Sequence, residues 1–386
     1  MHLPEFRTQW FICSMATGMA TSILYNFPYP ARWLRDISYI MFALCSLSLL
    51  ITNVLFFNQL IRSRQYRHDA LFNIHHNVFL GCGVMGYTSW VTSMHLVSQG
   101  RVPIFTYVLW WISNLLSLGA AWVIFLCIIW KTDIRLEKLS ATVILPIVTL
   151  TLTAAQGGII TPSLPQPLQH STIIISFLIW ANAVALSFMV LTIYLNRLVL
   201  YKFPSKSVIF TSFIPIGFLG QGSLAIQLFG RNYHDYVMKG VEIMTEADAL
   251  STKIQGDIFL YAGVLAGLFL EAMGFCMTFF AVWAVLSSGK HHFHYGWWAM
   301  TFPLGTMCLS THQTAQIMDW ETFYVVATIY GTVVLMITIV CISMSLLDLY
   351  RWIRSSPETE AATVEESKRK DSLSTEHTAP YEDNLV

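Results

Sequence analysis

Glu271 is the one full charge placed deep inside an apolar stretch of this 386-residue chain, and no lysine or arginine lies as deep. An ionised carboxyl in hydrocarbon costs on the order of 3 kcal/mol, so the group must be protonated, paired or in contact with water. Two chemistries fit. It could couple proton movement to solute movement, or it could be a neutral acid hydrogen-bonded to a neighbouring helix. The histidines His75-His76 and His291-His292-Phe293-His294 are the other candidates for chemistry. Membrane enzymes that use histidine-bound iron need several His-x-x-His-His boxes, and that spacing is absent, so no metal or cofactor is expected. The seven cysteines all fall within apolar segments, which reads as small buried residues rather than a disulfide framework. Thr17, Thr153, Gln156, Gln221, Gln227 and His312 are polar groups inside apolar stretches, able to meet a small solute by hydrogen bonds.

The elements that must carry these residues are membrane helices. The chain is 55% hydrophobic and only 11% charged, with mean hydropathy +0.56. Soluble domains carry about 25% charged residues, so much of this surface must face lipid. Net charge is zero, which gives no footing for nucleic acid. About 20 apolar residues cross a bilayer. Ten such spans are predicted near 10–25, 37–61, 72–96, 104–130, 139–160, 171–200, 207–228, 254–287, 296–317 and 323–350. With the N-terminus inside, thirteen Lys and Arg fall on the cytoplasmic side and six outside, so both termini are expected in the cytoplasm. Residues 229–253 read as the one sizeable external loop, mixed and polar, a stretch that could hold a short surface helix. A cleaved signal peptide is not expected, because the first span ends in Asn26-Phe27-Pro28-Tyr29-Pro30 and not at a small-residue site. The division expected is a transmembrane domain over 1–354 and a disordered cytoplasmic tail over 355–386, rich in Ser, Thr, Glu and Lys.

Glycine and proline are distributed unevenly. The odd spans carry fourteen and the longer even spans six, and spans two and six have none. Proline in a helix interior removes a hydrogen bond and bends the helix. Small residues let helices approach closely. The pattern leaves two readings open: tight packing with no pore, or kinked odd spans that line a solute path and are shielded by greasier even spans. Thr17, Thr153, Gln156, Gln221, Gln227 and His312 on the odd spans favour the second, and Asn53, Asn114 and Asn182 on even spans weaken the contrast. With no fixed cation in the path, an anion would be attracted by helix N-termini, by Gln and Thr donors and by basic residues at the mouths.

Several ordered motifs resemble one family. Trp10-Phe11, Met15-Ala16-Thr17-Gly18, Asn26-Phe27-Pro28-Tyr29 and Arg32-Trp33-Leu34 are similar to the opening of fungal members of the tellurite-resistance/dicarboxylate transporter family, which includes the slow anion channels of plants. Ala16 replaces a glycine usual there. Phe79-Leu80-Gly81 with Gly86, Ala154-Ala155 with Gly157-Gly158, and Trp297-Trp298 with Phe302-Pro303 also fit. The seventh span, with Phe213-Ile214-Pro215-Ile216-Gly217, Leu219-Gly220-Gln221-Gly222-Ser223 and Gln227-Leu228-Phe229-Gly230, looks most like the fungal sulfite efflux pumps and less like the malic acid permeases.

The resemblance implies an all-α polytopic membrane protein. Its ten transmembrane helices would form five hairpins in a pseudo-five-fold ring around a central pore, with the odd helices inside. It implies Phe302 as the gate ahead of Pro303, a homotrimer and a plasma-membrane location. Pore residues are then expected at Thr17, Gly18, Gly86, Gln156, Gly158, Pro215, Gln221, Gly222, Phe302, Pro303 and His312. The expected partners are a small anion and the bilayer. The function expected is export of a small anion, sulfite first, with malate or another C4-dicarboxylate as the alternative. A histidine-iron membrane enzyme is the reading from another class. A seven-span receptor is disfavoured by ten spans with both ends inside.

Overall fold

The structure, a computed structural model, describes residues 6–131, 135–241 and 246–376, and at 75, 138, 241, 246–247 and 352–376 the backbone alone. Among them there is no strand. Ten principal helices follow in order. They are α1 (Phe11–Tyr25), α2 (Arg32–Arg62), α3 (Leu80–Val97), α4 (Pro103–Lys131), α5 (Leu145–Ile160), α6 (Gln166–Tyr201), α7 (Ile214–Val241), α8 (Glu246–Ser287), α9 (Thr301–Met318) and α10 (Glu321–Glu376). Seven stretches are long and apolar enough to cross a membrane, those of α2, α4, α5, α6, α7, α8 and α10. Residues 1–338 form one compact unit, and 339–386 a second.

Burial follows the glycine pattern. Of the apolar cores of Ala141–Ser163 and Ile209–Gly240, 94% is buried, against 17% in α2, 39% in α4 and 33% in each of α6 and α8. In α1, 13 of 15 residues are buried, and in α9, 14 of 18. The odd helices are thus the interior, and the even ones expose Leu, Ile, Phe and Trp. Contacts run from α1 to α3, α3 to α5, α5 to α7, α7 to α9, and from α9 back to α1. A glycine sits at each of these seams: Gly18 against α3, Gly81 against α5, Gly158 against α7, Gly220 against α9 and Gly305 against α1. The interior Ser and Thr hydroxyls mostly bond carbonyls one turn back, as Thr17 does to Cys13 (2.8 Å) and Thr21 to Thr17 (3.0 Å), so they need no partner across a seam. Two even helices are tied inward by tryptophan. Trp110 on α4 donates to the Thr153 carbonyl of α5 (3.1 Å), and Trp180 on α6 to the Gly222 carbonyl of α7 (2.8 Å).

Several expectations change. Pro146, Pro215 and Pro303 do not kink the helices. They stand at the second or third position of α5, α7 and α9, where the missing N–H has no intrahelical acceptor anyway. Each follows a 3-10 turn, Ala141–Ile144, Ile209–Phe213 or Tyr295–Met300, so the geometry shifts at the helix start and not mid-span. The third span begins only at Leu80. Ile74–Asn77 is a separate turn, and Asn77 Nδ2 donates to the Leu71 carbonyl (3.1 Å), a local bond that competes with helix continuation. The expected loop at 229–253 is largely helical, since α7 runs to Val241 and α8 starts at Glu246. Residues 242–245 lie outside the described ones. The last helix runs through Glu376. Polarity there argues against a core, yet Ala, Glu and Lys are good helix formers. Residues 377–386 lie outside the described ones.

The seams and the lipid-facing positions should respond oppositely to a methyl group. At Gly220 a Cβ would lie 2.7 Å from the Met307 backbone nitrogen, so Gly220→Ala should cost about 1–3 kcal/mol. At Gly119 nothing lies within 4 Å, so Gly119→Ala should be neutral or stabilising by about 0.5–1 kcal/mol. Thermal unfolding in detergent, with the two variants side by side, checks the contrast.

Candidate functional site: two cavities across one helical turn

The five inner helices run in the same direction. Their N-terminal ends line a cavity of about 820 Å³, whose wall includes Gln9 and Met15 of α1 and its lead-in, Cys82 of α3, Val148 of α5, Gly217 of α7 and Phe302 of α9. The stretches that follow along the same helices line a second cavity of about 330 Å³, through Met19, Ser89, Leu152, Gln221 and Leu309. Met15 and Met19, Val148 and Leu152, and Gly217 and Gln221 are each four residues apart. Cys82 and Ser89 are seven apart and Pro303 and Leu309 six, so the partition between the cavities is one to two helical turns thick, about 6–10 Å. Most of its side chains are apolar, the kind of constriction that closes a path by excluding water.

The larger cavity is electropositive. Each helix N-terminus carries about half a positive elementary charge, and five meet here. Among the described residues, Arg7, Arg135 and His294 also line it and no Asp or Glu does. His294 Nδ1 accepts from the Gly296 N–H (3.0 Å) at the 3-10 turn that leads into α9. Burial, with His291 nearby, holds His294 below the ordinary histidine range and favours the neutral form that can accept this bond. The smaller cavity faces the helix C-termini, and its wall carries Asn26, Gln313, Asn232, His312, Arg231 and Asp235 among others.

The residues singled out from the sequence are dispersed by this geometry. Phe302 and Pro303 line the large cavity at its inner end, with the Phe302 ring 3.5 Å from where a Cβ on Gly217 would stand. Gln221, Gly158 and His312 line the small one. Gly18 and Gly86 do not line either. They pack at the α1–α3 seam, against Ser89 and Ser14 respectively. Gly222 points outward to Trp180, Val184 and Leu270, because helical rotation puts it on a different face from Gln221. Thr17 is spent on its own helix, Pro215 sits in the first turn of α7, and neither lines a cavity. Gln156 is fully buried with both amide atoms unpartnered and lines neither cavity. The lining residues missed were Arg7 and Arg135, counted only as loop charge, and Ser89, Gln313 and Asn232. The run Ser310-Thr311-His312-Gln313-Thr314 in an apolar helix was the available signal for Gln313.

Glu271 belongs to neither cavity. It is 1% exposed, and its Oε1 accepts from Ser223 (3.0 Å) and Gln227 (3.1 Å) on α7 and from Thr314 (2.8 Å) on α9. This is a clasp of three helices. Among the described residues no group of three or more His, Cys, Asp or Glu could hold a metal ion. His291 instead meets Ser288 (2.8 Å) and the Phe210 ring, and the side chain of His75 lies outside the described ones.

The clasp predicts an asymmetric pair of variants. Glu271→Gln keeps an acceptor oxygen and should fold. Glu271→Leu strands the donors of α7 and α9 and should cost about 2–4 kcal/mol. Detergent melting of the purified variants decides it.

Several known proteins are similar to this chain. Residues 5–346 match the SLAC1 family, described as voltage-dependent anion channel. The chain is 33% identical to a sulfite efflux pump SSU1 of Candida albicans, over 87% of this chain and 73% of that one. It is 30% identical to the sulfite efflux pump SSU1 of Saccharomyces cerevisiae, over 89% and 87%. An uncharacterized transporter of Methanocaldococcus jannaschii is 22% identical over 83% and 88%. With a family match over nearly its whole length, the chain belongs to the SLAC1 family of voltage-dependent anion channels, membrane transport proteins rather than enzymes.

Proposed function

We propose that this protein exports a small inorganic anion, sulfite foremost, along the axis of its five inner helices. The observation that carries the reading is the cavity of about 820 Å³ on which five helix N-termini converge with Arg7, Arg135 and His294 and, among the described residues, no acidic side chain. Such a vestibule concentrates anions without binding them tightly, because its charge is spread over helix ends and rim side chains. The excess of basic residues on that side makes it the cytoplasmic face, with both termini inside. The ten helices then act as five hairpins in a pseudo-five-fold ring. The plasma membrane as location and a homotrimer as assembly complete the proposal, both carried over from the family resemblance.

Sulfite is favoured because the relatives that share about a third of its residues are named sulfite efflux pumps. Malate or another C4-dicarboxylate is the second reading. It is weaker because neither cavity wall groups basic side chains at its inner end to hold two carboxylates. Phe302 is the proposed gate. It closes the inner end of the vestibule against Gly217, the one position on the α7 face with no side chain to oppose it. Glu271 is proposed as a structural clasp and not a proton carrier, since it lines no cavity.

Reversal potentials of the reconstituted protein with sulfite, malate, chloride and nitrate on opposite sides test the reading. Sulfite should be the best carried, and malate carried in preference to sulfite would reverse the assignment. Phe302→Ala should raise anion current severalfold at equal surface expression, and an unchanged current removes the gate. Arg7→Gln with Arg135→Gln should lower inward-facing anion capture by about two- to tenfold at low ionic strength and much less in high salt. An effect independent of salt would remove the electrostatic role.

A further inference from the structure

Three buried polar atoms on three inner helices have no hydrogen-bond partner, and all three residues line the smaller cavity. They are Ser89 Oγ on α3 (4% exposed), Gln221 Oε1 on α7 (2%) and Gln313 Nε2 on α9 (8%). Buried groups of this kind are costly, and they recur where a ligand completes them. A serine hydroxyl can donate, and a carboxamide can turn either end inward, so all three can act as donors. His312 adjoins Gln313 on the same wall. The charged residues of this cavity, Arg231 and Asp235, belong to the last turns of α7, and Asp235 is already engaged by His234 at 3.2 Å.

We propose that Ser89, Gln221 and Gln313 form a charge-neutral coordination site for a multi-oxygen anion of the sulfite class, and that this site sets the preference for such oxyanions over halides. The proposal rests on the anion-transport reading and deepens it. Donors on three separate helices can each address a different oxygen of one oxyanion. A halide offers a single centre and gains less from donors spread around a wall. The location also demands side-chain donors. Ser89, Gln221 and Gln313 stand inside their helices, beyond the first turn whose N–H groups are free, so an anion pausing here must be held by side-chain hydrogen bonds. Neutral donors hold weakly enough to let it leave. The site begins directly beyond the partition, since Gln221 is one turn from Gly217 of the opposite cavity.

Gly18 then acquires a role its seam position explains. A Cβ on it would stand 2.7 Å from Ser89 Cβ, so the glycine keeps Ser89 where it is. Ser93 donates to the Gly18 carbonyl (3.1 Å) and fixes the same register. Gly18 is a positioning residue for the site.

The test is the sulfite-to-chloride permeability ratio of the full-length protein in planar bilayers, from reversal potentials, for wild type, Ser89→Ala and Gln313→Leu. Each variant should lower the ratio about fivefold or more, the loss expected for one hydrogen bond to an anion, while chloride conductance persists. Ser89→Ala removes one oxygen from a seam and keeps the test sound if Gln313→Leu fails to fold. A ratio unchanged in every variant that reaches the membrane would overturn the site and leave the transport reading standing. A wild-type protein that carries neither anion would overturn that reading and the site with it.

Discussion

Five helices lying side by side with all their N-termini at one end is the constraint on which the rest of this structure depends. Parallel macrodipoles repel one another, and backbone groups inside a bilayer have no water to turn to. After every inner helix the chain continues into a longer and more exposed outer one, which in the proposed five-hairpin arrangement runs antiparallel to it and opposes its dipole. Glycine at each inner seam brings the helices close enough for dispersion contacts to hold them. The outer helices contribute the apolar surface that faces lipid, and Trp110 and Trp180 fasten two of them to inner carbonyls.

That same parallel arrangement makes the two ends of the path unlike. One end gathers positive helix termini and basic side chains around a wide vestibule, and the other gathers carbonyl ends around a smaller cavity walled with amides and hydroxyls. Between them stand one to two turns of Met, Val, Leu and Phe side chains. On the proposed route an anion is drawn in by a diffuse field, crosses a short dry step and meets neutral donors. No step requires a fixed interior cation, which agrees with the absence of Lys and Arg from the middle of the inner spans.

Glu271 illustrates how position within the bundle decides chemistry. A lone carboxyl in an apolar segment reads equally well as a proton carrier or a clasp. Its bonds to Ser223, Gln227 and Thr314 join α7, α8 and α9 on a face turned away from both cavities. The glycines teach the same lesson. Gly18, Gly86 and Gly222 carry the composition of a path lining, yet they serve close approach to Ser89, Ser14 and Trp180.

The amino-acid sequence by itself determined the membrane character, the all-helical class and the contrast between buried glycine-rich segments and exposed apolar ones. These depend on composition and small-residue content, which a one-dimensional pattern carries in full. Only the tertiary structure decided that Pro146, Pro215 and Pro303 start helices rather than bend them, and that Gln221 faces the path while Gly222 beside it faces α6. It also decided that Arg7 and Arg135, distant in the chain, share one vestibule, and that Ser89 and Gln313 share the opposite one. The reason is rotational. Each residue turns a helix face by about 100°, so which side chain meets the path depends on the phase of each helix against its neighbours. That phase is set by contacts between helices and not by the order of residues within one.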